Sequence, residues 1–273
     1  MKVDLHSHST VSDGLDAPAV LVSRMADAGL TAFALTDHDT LQGLPEARAE
    51  AQRRGIELIS GAEISAEWGG QDDIHILALF VDEKNERFRQ SLAERQEERR
   101  TRGERMAKRL VDAGYAIDLD AIRADVGDGV WGRPHLARAL VRAGYASSND
   151  DAFSRFLGRE HPTYVPYEKW PAAEVVRAIR DAGGVSSLAH AVWYKNTDAL
   201  IRELADRGLD AIEVFHPDHG PAEESRFAAL AREFSLAETA GSDFHGTLEG
   251  RKRPGGVFGD AAMLDRLRAR RPK

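Results

Sequence analysis

Short apolar runs of strand length recur along this chain, most preceded by an amphipathic stretch of helical length, and nearly every run ends in histidine, aspartate or glutamate. The runs are KVDLH at the N-terminus, LTAFALTDHD (30–39), IELISGAEIS (56–65), DIHILALFVD (73–82), GGVSSLAHA (183–191), GLDAIEVFH (208–216) and SLAETAGSDFH (235–245). Strands alternating with helices indicate an α/β fold built on a parallel sheet. Six or seven such units point to a barrel or near-barrel in preference to an open sheet. In a parallel barrel the C-terminal strand ends converge on one face, where barrel active sites lie.

The pattern breaks once. Residues 85–113 read as almost continuous, heavily charged helix, and 114–170 as short helices punctuated by Gly and Pro, with no good strand. The expected organisation is a barrel domain formed by residues 1–84 and 171–273, with residues 85–170 as a helical insertion covering the active site. A chain of 273 residues can bury a core of that size. It has no cysteine, which removes disulfides, Cys-ligated zinc and Cys nucleophiles together. The net charge of −8 argues against a surface that coats nucleic acid, while leaving room for a local basic pocket. The longest apolar run, ILALFV, is far too short to span a bilayer. The N-terminus moves directly into a polar strand, so no signal peptide is expected. A cytoplasmic protein without membrane contact or an obligate protein partner is the expectation.

His6 and His8 stand two apart on the first strand and therefore project side by side, with Asp13 in the polar loop that follows. An isolated HxH pair is more often ordinary packing than a metal site. Here, however, metal-type side chains recur at strand ends: His38 in TDHD, Glu63, His75 beside the start of the fourth strand, His190, and Asp243 with His245 in SDFH. Core packing does not call for that distribution. Imidazole and carboxylate together suit divalent transition metals.

DLHSHSTVSDG, ALTDHDT, SGAEIS, IHILALF, GGVSSLAHA and GSDFHG resemble, in order, the successive motifs of the PHP (polymerase and histidinol phosphatase) family of metal phosphoesterases. One departure is Ala191, where the family often has Pro after the histidine. The resemblance implies a distorted (β/α)7 barrel holding two or three divalent ions, manganese first, with zinc or iron as alternatives. It implies that His6, His8, Glu63 and Asp243 hold one ion, that Glu63 bridges to a second held by His75 and His190, and that Asp13, His38 and His245 hold a third. A carboxylate has two oxygens and can serve two cations. Asp37 and Asp39 read as imidazole-orienting or loop-capping residues. Such ions lower the pKa of bound water and clamp phosphate oxygens during in-line displacement, so hydrolysis needs no side-chain nucleophile.

In the insertion, Arg95, Arg99 and Arg102 share one helix face, although interspersed glutamates, including an Arg102–Glu98 pair, also suit a solvated face. GRPH (132–135) places Arg133 and His135 at a helix start that could bind an anion or simply begin with Pro. An Arg-rich helix followed by R-x-H resembles the subfamily of nucleoside 3′,5′-bisphosphate phosphatases and related 5′–3′ exoribonucleases. That resemblance implies removal of the 3′-phosphate from a nucleoside bisphosphate, with Arg99, Arg102, Arg133 and His135 holding the 5′ group. His219 is expected near the pocket, and His216 in a surface loop. Short RNA is the alternative substrate, and histidinol phosphate the third.

Overall fold

The computed structural model describes residues 1–126, 131–166, 169–246 and 250–272. Its core is a nearly closed barrel of seven strands. These are β1 (Val3–Asp4), β2 (Ala32–Leu35), β3 (Glu57–Trp68), β4 (Gln71–Leu79), β6 (Val185–Leu188), β7 (Ala211–Phe215) and β8 (Ala237–Ala240), neighbours in that order. The two-residue strand β5 (Trp170–Pro171) pairs with the outer part of β3. Closure comes from the residues just past β1: Leu5 N donates to Ala240 O at 2.9 Å, and His8 N to Phe244 O at 2.9 Å.

The strands are parallel except β4, which runs antiparallel to both β3 and β6, with Glu63 opposite Leu77 and Ile76 opposite Leu188. No helix separates β3 from β4. Gly69 and Gly70, both with φ in the left-handed region, turn the chain back directly, and a hairpin forces antiparallel pairing. The reversal has a functional consequence. It carries the beginning of β4, with His75, to the rim where the parallel strands end. The third strand also runs on past Glu63 to Trp68, longer than the expected IELISGAEIS.

Alternate residues of the strands fill the barrel. Val3, Ala32, Ala34, Ile59, Leu77, Leu79, Val185, Ala211 and Ala237 form one cluster with Met263, Leu264 and Leu267 of helix α10 (Ala261–Arg268). Alanine at so many inward positions suits a narrow barrel. Outside pack α1 (Pro18–Asp27), α2 (Leu44–Arg54), α7 (Ala172–Asp181), α8 (Thr197–Asp206) and α9 (Pro221–Glu233). In α7 the buried positions Ala172, Val175, Val176 and Ile179 follow the i, i+3, i+4, i+7 pattern of a helix with one apolar face. Pro lies in the first turn of α1, α2 and α9, where its missing N–H costs nothing.

Between β4 and β5 lie α3 (Glu86–Asp112), α4 (Leu119–Val126), α5 (Arg133–Arg142) and α6 (Asn149–Ala152), the last running into a π turn at Phe153–Leu157. These helices share a hydrophobic cluster of their own, including Met106, Leu110, Leu136, Leu140 and Phe156. Asn85 begins α3 as expected of a cap, its side chain accepting from Phe88 N at 2.9 Å. Among the described residues no helix is long and apolar enough to cross a membrane.

Candidate metal centre and its cavity

The nine residues expected as ligands come together at one end of the barrel. His6 Nε2 and His8 Nε2 each lie 3.3–3.4 Å from Glu63 Oε2 and 3.4 Å from Asp243 Oδ1. The other Glu63 oxygen, Oε1, faces His75 Nδ1 at 2.8 Å and His190 Nε2 at 2.9 Å. Asp13 lies between His245 Nε2 at 3.3 Å and His38 Nε2 at 3.5 Å. The division of Glu63 between two sets of imidazoles is the geometry a bridging carboxylate requires.

Local backbone aims these groups. His190 and Asp243 have φ of +26° and +48°, conformations that non-glycine residues rarely adopt, and Asp39 has φ +53°. Strained backbone of this kind concentrates at functional sites. Beside Asp243, Gly241 passes so close to His6 that a Cβ there would lie 2.3 Å from His6 Cβ, so a side chain would push the imidazole away.

Charge in the cluster is unevenly shared. Burial works to raise Glu63, Asp13 and Asp243, but the surrounding histidines outweigh it and hold all three well below the usual carboxylate range. Burial lowers His38 to about 3 and His190 to about 4. It also works against a charged His8, yet the neighbouring carboxylates of Asp243 and Glu63 prevail and push His8 up to about 10. His6 is raised in the same way, chiefly by Glu213. Several buried polar atoms make no hydrogen bond: His6 Nε2, both His8 ring nitrogens, His38 Nδ1 and Asp13 Oδ2. Buried polar atoms without partners are costly. Convergent, unsatisfied imidazole and ionised carboxylate donors fit divalent cations.

The cluster floors a cavity of about 350 Å³. Asp13, His38, Glu63, His75, His190, Asp243 and His245 line it from the barrel, and Arg99, Arg102, Trp131 and Arg133 from the helices between β4 and β5. Arg99 Nη1 donates to Asp39 Oδ2 at 2.7 Å and Ser65 Oγ at 2.9 Å. Arg102 donates through Nε to Val165 O at 2.8 Å and lies over the Tyr164 ring. Arg133 Nη2 donates to Asp73 Oδ1 at 2.5 Å.

Residues 4–125 match the family model described as the PHP domain. The chain is 37% identical over 251 residues to the 5′-3′ exoribonuclease Rnm of Salmonella typhimurium, covering 89% of this chain and 84% of that one. The chain belongs to the PHP family. It is also 34% identical to a phosphoribosyl 1,2-cyclic phosphate 1,2-diphosphodiesterase of Eggerthella lenta (89% of this chain, 94% of the relative). The 3′,5′-nucleoside bisphosphate phosphatase of Chromobacterium violaceum is likewise 34% identical (91% and 88%). A crystal structure of a putative metal-dependent phosphoesterase from Bifidobacterium adolescentis superposes with a TM-score of 0.88 at 31% identity, covering 99% of this chain and 96% of that one. The protein is a metal-dependent phosphoesterase with a PHP-type barrel, a hydrolase of the phosphatase kind.

Within this PHP site four placements differ from expectation. His216 is no surface residue: it is fully buried, with Nε2 3.4 Å from Asp243 Oδ2, because β7 ends directly beside the cluster. His135 does not line the cavity. Its Nδ1 accepts from Gly132 N at 3.1 Å, which caps the start of α5. His219 is drawn inward by a 2.9 Å hydrogen bond to Val214 O and packs between His216 and Phe227, behind the cavity wall. Glu98 pairs with Arg95 instead of Arg102. Asp37 is structural, accepting from Ser9 N, Ser9 Oγ and Ser12 Oγ at 2.7–2.8 Å. Asp39 fixes Arg99 and accepts from Ser65 N at 2.8 Å.

Sequence reasoning missed Glu213 and Tyr194. Glu213, fully buried on β7, accepts from His6 Nδ1 at 3.0 Å and from His190 N at 2.7 Å, and so sets both imidazoles. A glutamate inside the apolar run AIEVF was the available signal. Tyr194 places its hydroxyl between His190 Nδ1 and His75 N, each at 3.0 Å. Nothing in YKN marks that role.

Proposed function

We propose that the protein removes the 3′-phosphate of a nucleoside 3′,5′-bisphosphate, releasing phosphate and a nucleoside 5′-phosphate. One observation carries this reading: a single cavity of about 350 Å³, at the small end for ligand pockets, joins the metal-type cluster to three arginines. A substrate with a phosphate at each end, one for the cluster and one for the arginines, matches both walls. Histidinol phosphate has a single phosphate and a cationic tail, which the arginines would repel.

His6, His8, Glu63 and Asp243 would hold one divalent ion, Glu63, His75 and His190 a second, and Asp13, His38 and His245 a third, with manganese the first candidate. When bound, such ions supply an activated water and neutralise charge on the reacting phosphate. The chain's own residues do the rest. Glu213 and Tyr194 hold His6 and His190 in fixed orientations. Arg99, Arg102 and Arg133 present donors suited to phosphate oxygens. The helices between β4 and β5, taken as a unit over residues 85–170, limit access of water to the cavity. A cytoplasmic location agrees with a nucleotide substrate.

A second reading, stepwise hydrolysis from RNA 5′ ends, is favoured by the name of the 37% identical relative. A turnover screen of manganese-loaded protein separates the readings. Adenosine 3′,5′-bisphosphate should be the best substrate, ahead of a 5′-phosphorylated oligoribonucleotide, histidinol phosphate and a phosphoribosyl cyclic phosphate. A higher kcat/KM for any of the other three would replace the proposal.

A further inference from the structure

Asp73 lies two residues before His75 on β4, and both side chains line the cavity. Its Oδ1 accepts two cations at once, Arg133 Nη2 at 2.5 Å and Lys169 Nζ at 2.9 Å. The three partners are unequally held. The Lys169 side chain is only 3% exposed and that of Arg133 18%, whereas the Asp73 side chain is 46% exposed. Arg133 is further fixed by its place in the first turn of α5 and by the Phe153 ring beneath its guanidinium. A buried lysine and a largely covered arginine converging on one carboxylate oxygen make an anion site, and its present occupant, Asp73, is the most exposed of the three.

We propose that Lys169 and Arg133 complete, with Arg99 and Arg102, the binding site for the substrate's remote phosphate, and that Asp73 is a built-in surrogate for that phosphate, displaced when substrate enters. In the free protein the Asp73 carboxylate adds an anion beside the buried Lys169 ammonium and the Arg133 guanidinium, which favours the folded cationic wall. A phosphate dianion offers more charge and more acceptor oxygens than Asp73, and Asp73 can turn out toward solvent. The device also raises specificity. A ligand with no remote phosphate must bind beside an occupied pair and gains nothing from it.

This inference rests on the reading of a substrate with two phosphates, but its test does not need turnover. Adenosine 5′-monophosphate, which carries only the remote phosphate, is titrated calorimetrically into metal-loaded parent and Asp73→Asn proteins, with adenosine as the ligand lacking phosphate. A surrogate that occupies the site about nine-tenths of the time weakens apparent affinity roughly tenfold. Asp73→Asn should therefore bind adenosine 5′-monophosphate about tenfold more tightly, with adenosine unchanged. The gain should vanish in the Asp73→Asn, Lys169→Met double variant, or in Asp73→Asn, Arg133→Gln should the first fail to fold. Inorganic phosphate should raise the Tm of Asp73→Asn more than that of the parent. Weaker or unchanged binding in Asp73→Asn would overturn the proposal and make Asp73 a fixed support for the two cations. A protein that shows the tenfold gain but does not hydrolyse adenosine 3′,5′-bisphosphate would retain the anion site and lose the proposed reaction.

Discussion

Glu63 faces His6 and His8 with one oxygen and His75 and His190 with the other, so one atom can be exchanged to ask whether two ions depend on it. Glu63→Gln keeps the shape and removes the charge. Elemental analysis should find two to three divalent ions in the parent and a loss of more than one in the variant; unchanged occupancy would end the bridging assignment. The same cluster predicts an unusual stability profile once metal is stripped. His8, and His6 with it, hold protons more tightly folded than unfolded, so their contribution is complete below about pH 6.5 and is lost as pH rises toward about 10. His38 and His190 act in the opposite sense: unfolding takes up protons below about 6.5, and stability is lost as pH falls toward about 4 and then about 3. Tm of the chelated protein should peak near pH 6.5 and fall on both sides. Bound cations keep the imidazoles neutral, so the alkaline limb should flatten in the loaded protein. A chelated protein whose Tm is level from pH 6.5 to 10 would contradict the charge distribution. The candidate ligand types were legible in the sequence because most of them stand at or just past a strand end. Glu213 was not, because its role depends on β7 lying beside both β6 and β8, a matter of sheet order that a single strand does not reveal.

Helix α3 shows the same division between local pattern and tertiary placement. The i, i+4, i+7 spacing placed Arg95, Arg99 and Arg102 on one face, but only Arg99 and Arg102 reach the cavity, while Arg95 pairs with Glu98 and lies over Trp170. Arg100, one step round the helix, pairs with Glu97 and Glu104 in solvent. If the inward pair holds the remote phosphate, the contacts exist in ground and transition states alike. Arg102→Ala should then raise KM for the bisphosphate with kcat little changed. A charge-assisted contact contributes about 1.5–3 kcal/mol, so kcat/KM should fall about 10- to 150-fold. Arg99→Ala should cost at least as much, since it also leaves the buried carboxylate of Asp39 without its guanidinium. Arg100→Ala should be nearly neutral. Equal effects at all three positions would return the stripe to a solvated face. The length of α3 was legible from sequence because a charged helical run rests on local chemistry. The antiparallel β4 was not, since a Gly-Gly pair in the run EWGGQDD could equally have opened a longer connection. His135 misled for a related reason: a histidine three residues into a helix can cap backbone or bind anions, and the amide of Gly132 claimed it.

At the scale of the whole chain, two of the four hydrophobic clusters among the described residues bear on the site in different ways. One fills the barrel and is sealed by Met263, Leu264 and Leu267 of α10. The other belongs to the helices between β4 and β5, and α3 meets the segment before α5 so closely that a Cβ on Gly103 would lie 2.2 Å from Trp131 O. The candidate ligands stand on the barrel strands and the loops that follow them, whereas the arginines are built on helices, so damage to each core should have a different signature. Leu264 and Leu140 are both fully buried. Either, replaced by Ala, should lose about 2–5 kcal/mol from its own cluster. Leu264→Ala acts on the barrel and should lower the global Tm and metal retention together. Leu140→Ala should leave the loaded metal content near that of the parent while raising KM for the bisphosphate. Hydrogen exchange should quicken in residues 106–126 and 131–157 ahead of the strands, because units with separate cores open separately, whereas Phe88 and Leu92 at the start of α3 pack with the barrel strands. Loss of metal from Leu140→Ala at temperatures where the barrel amides stay protected would show instead that the helices help to hold the ions, and would join the two cores into one cooperative unit.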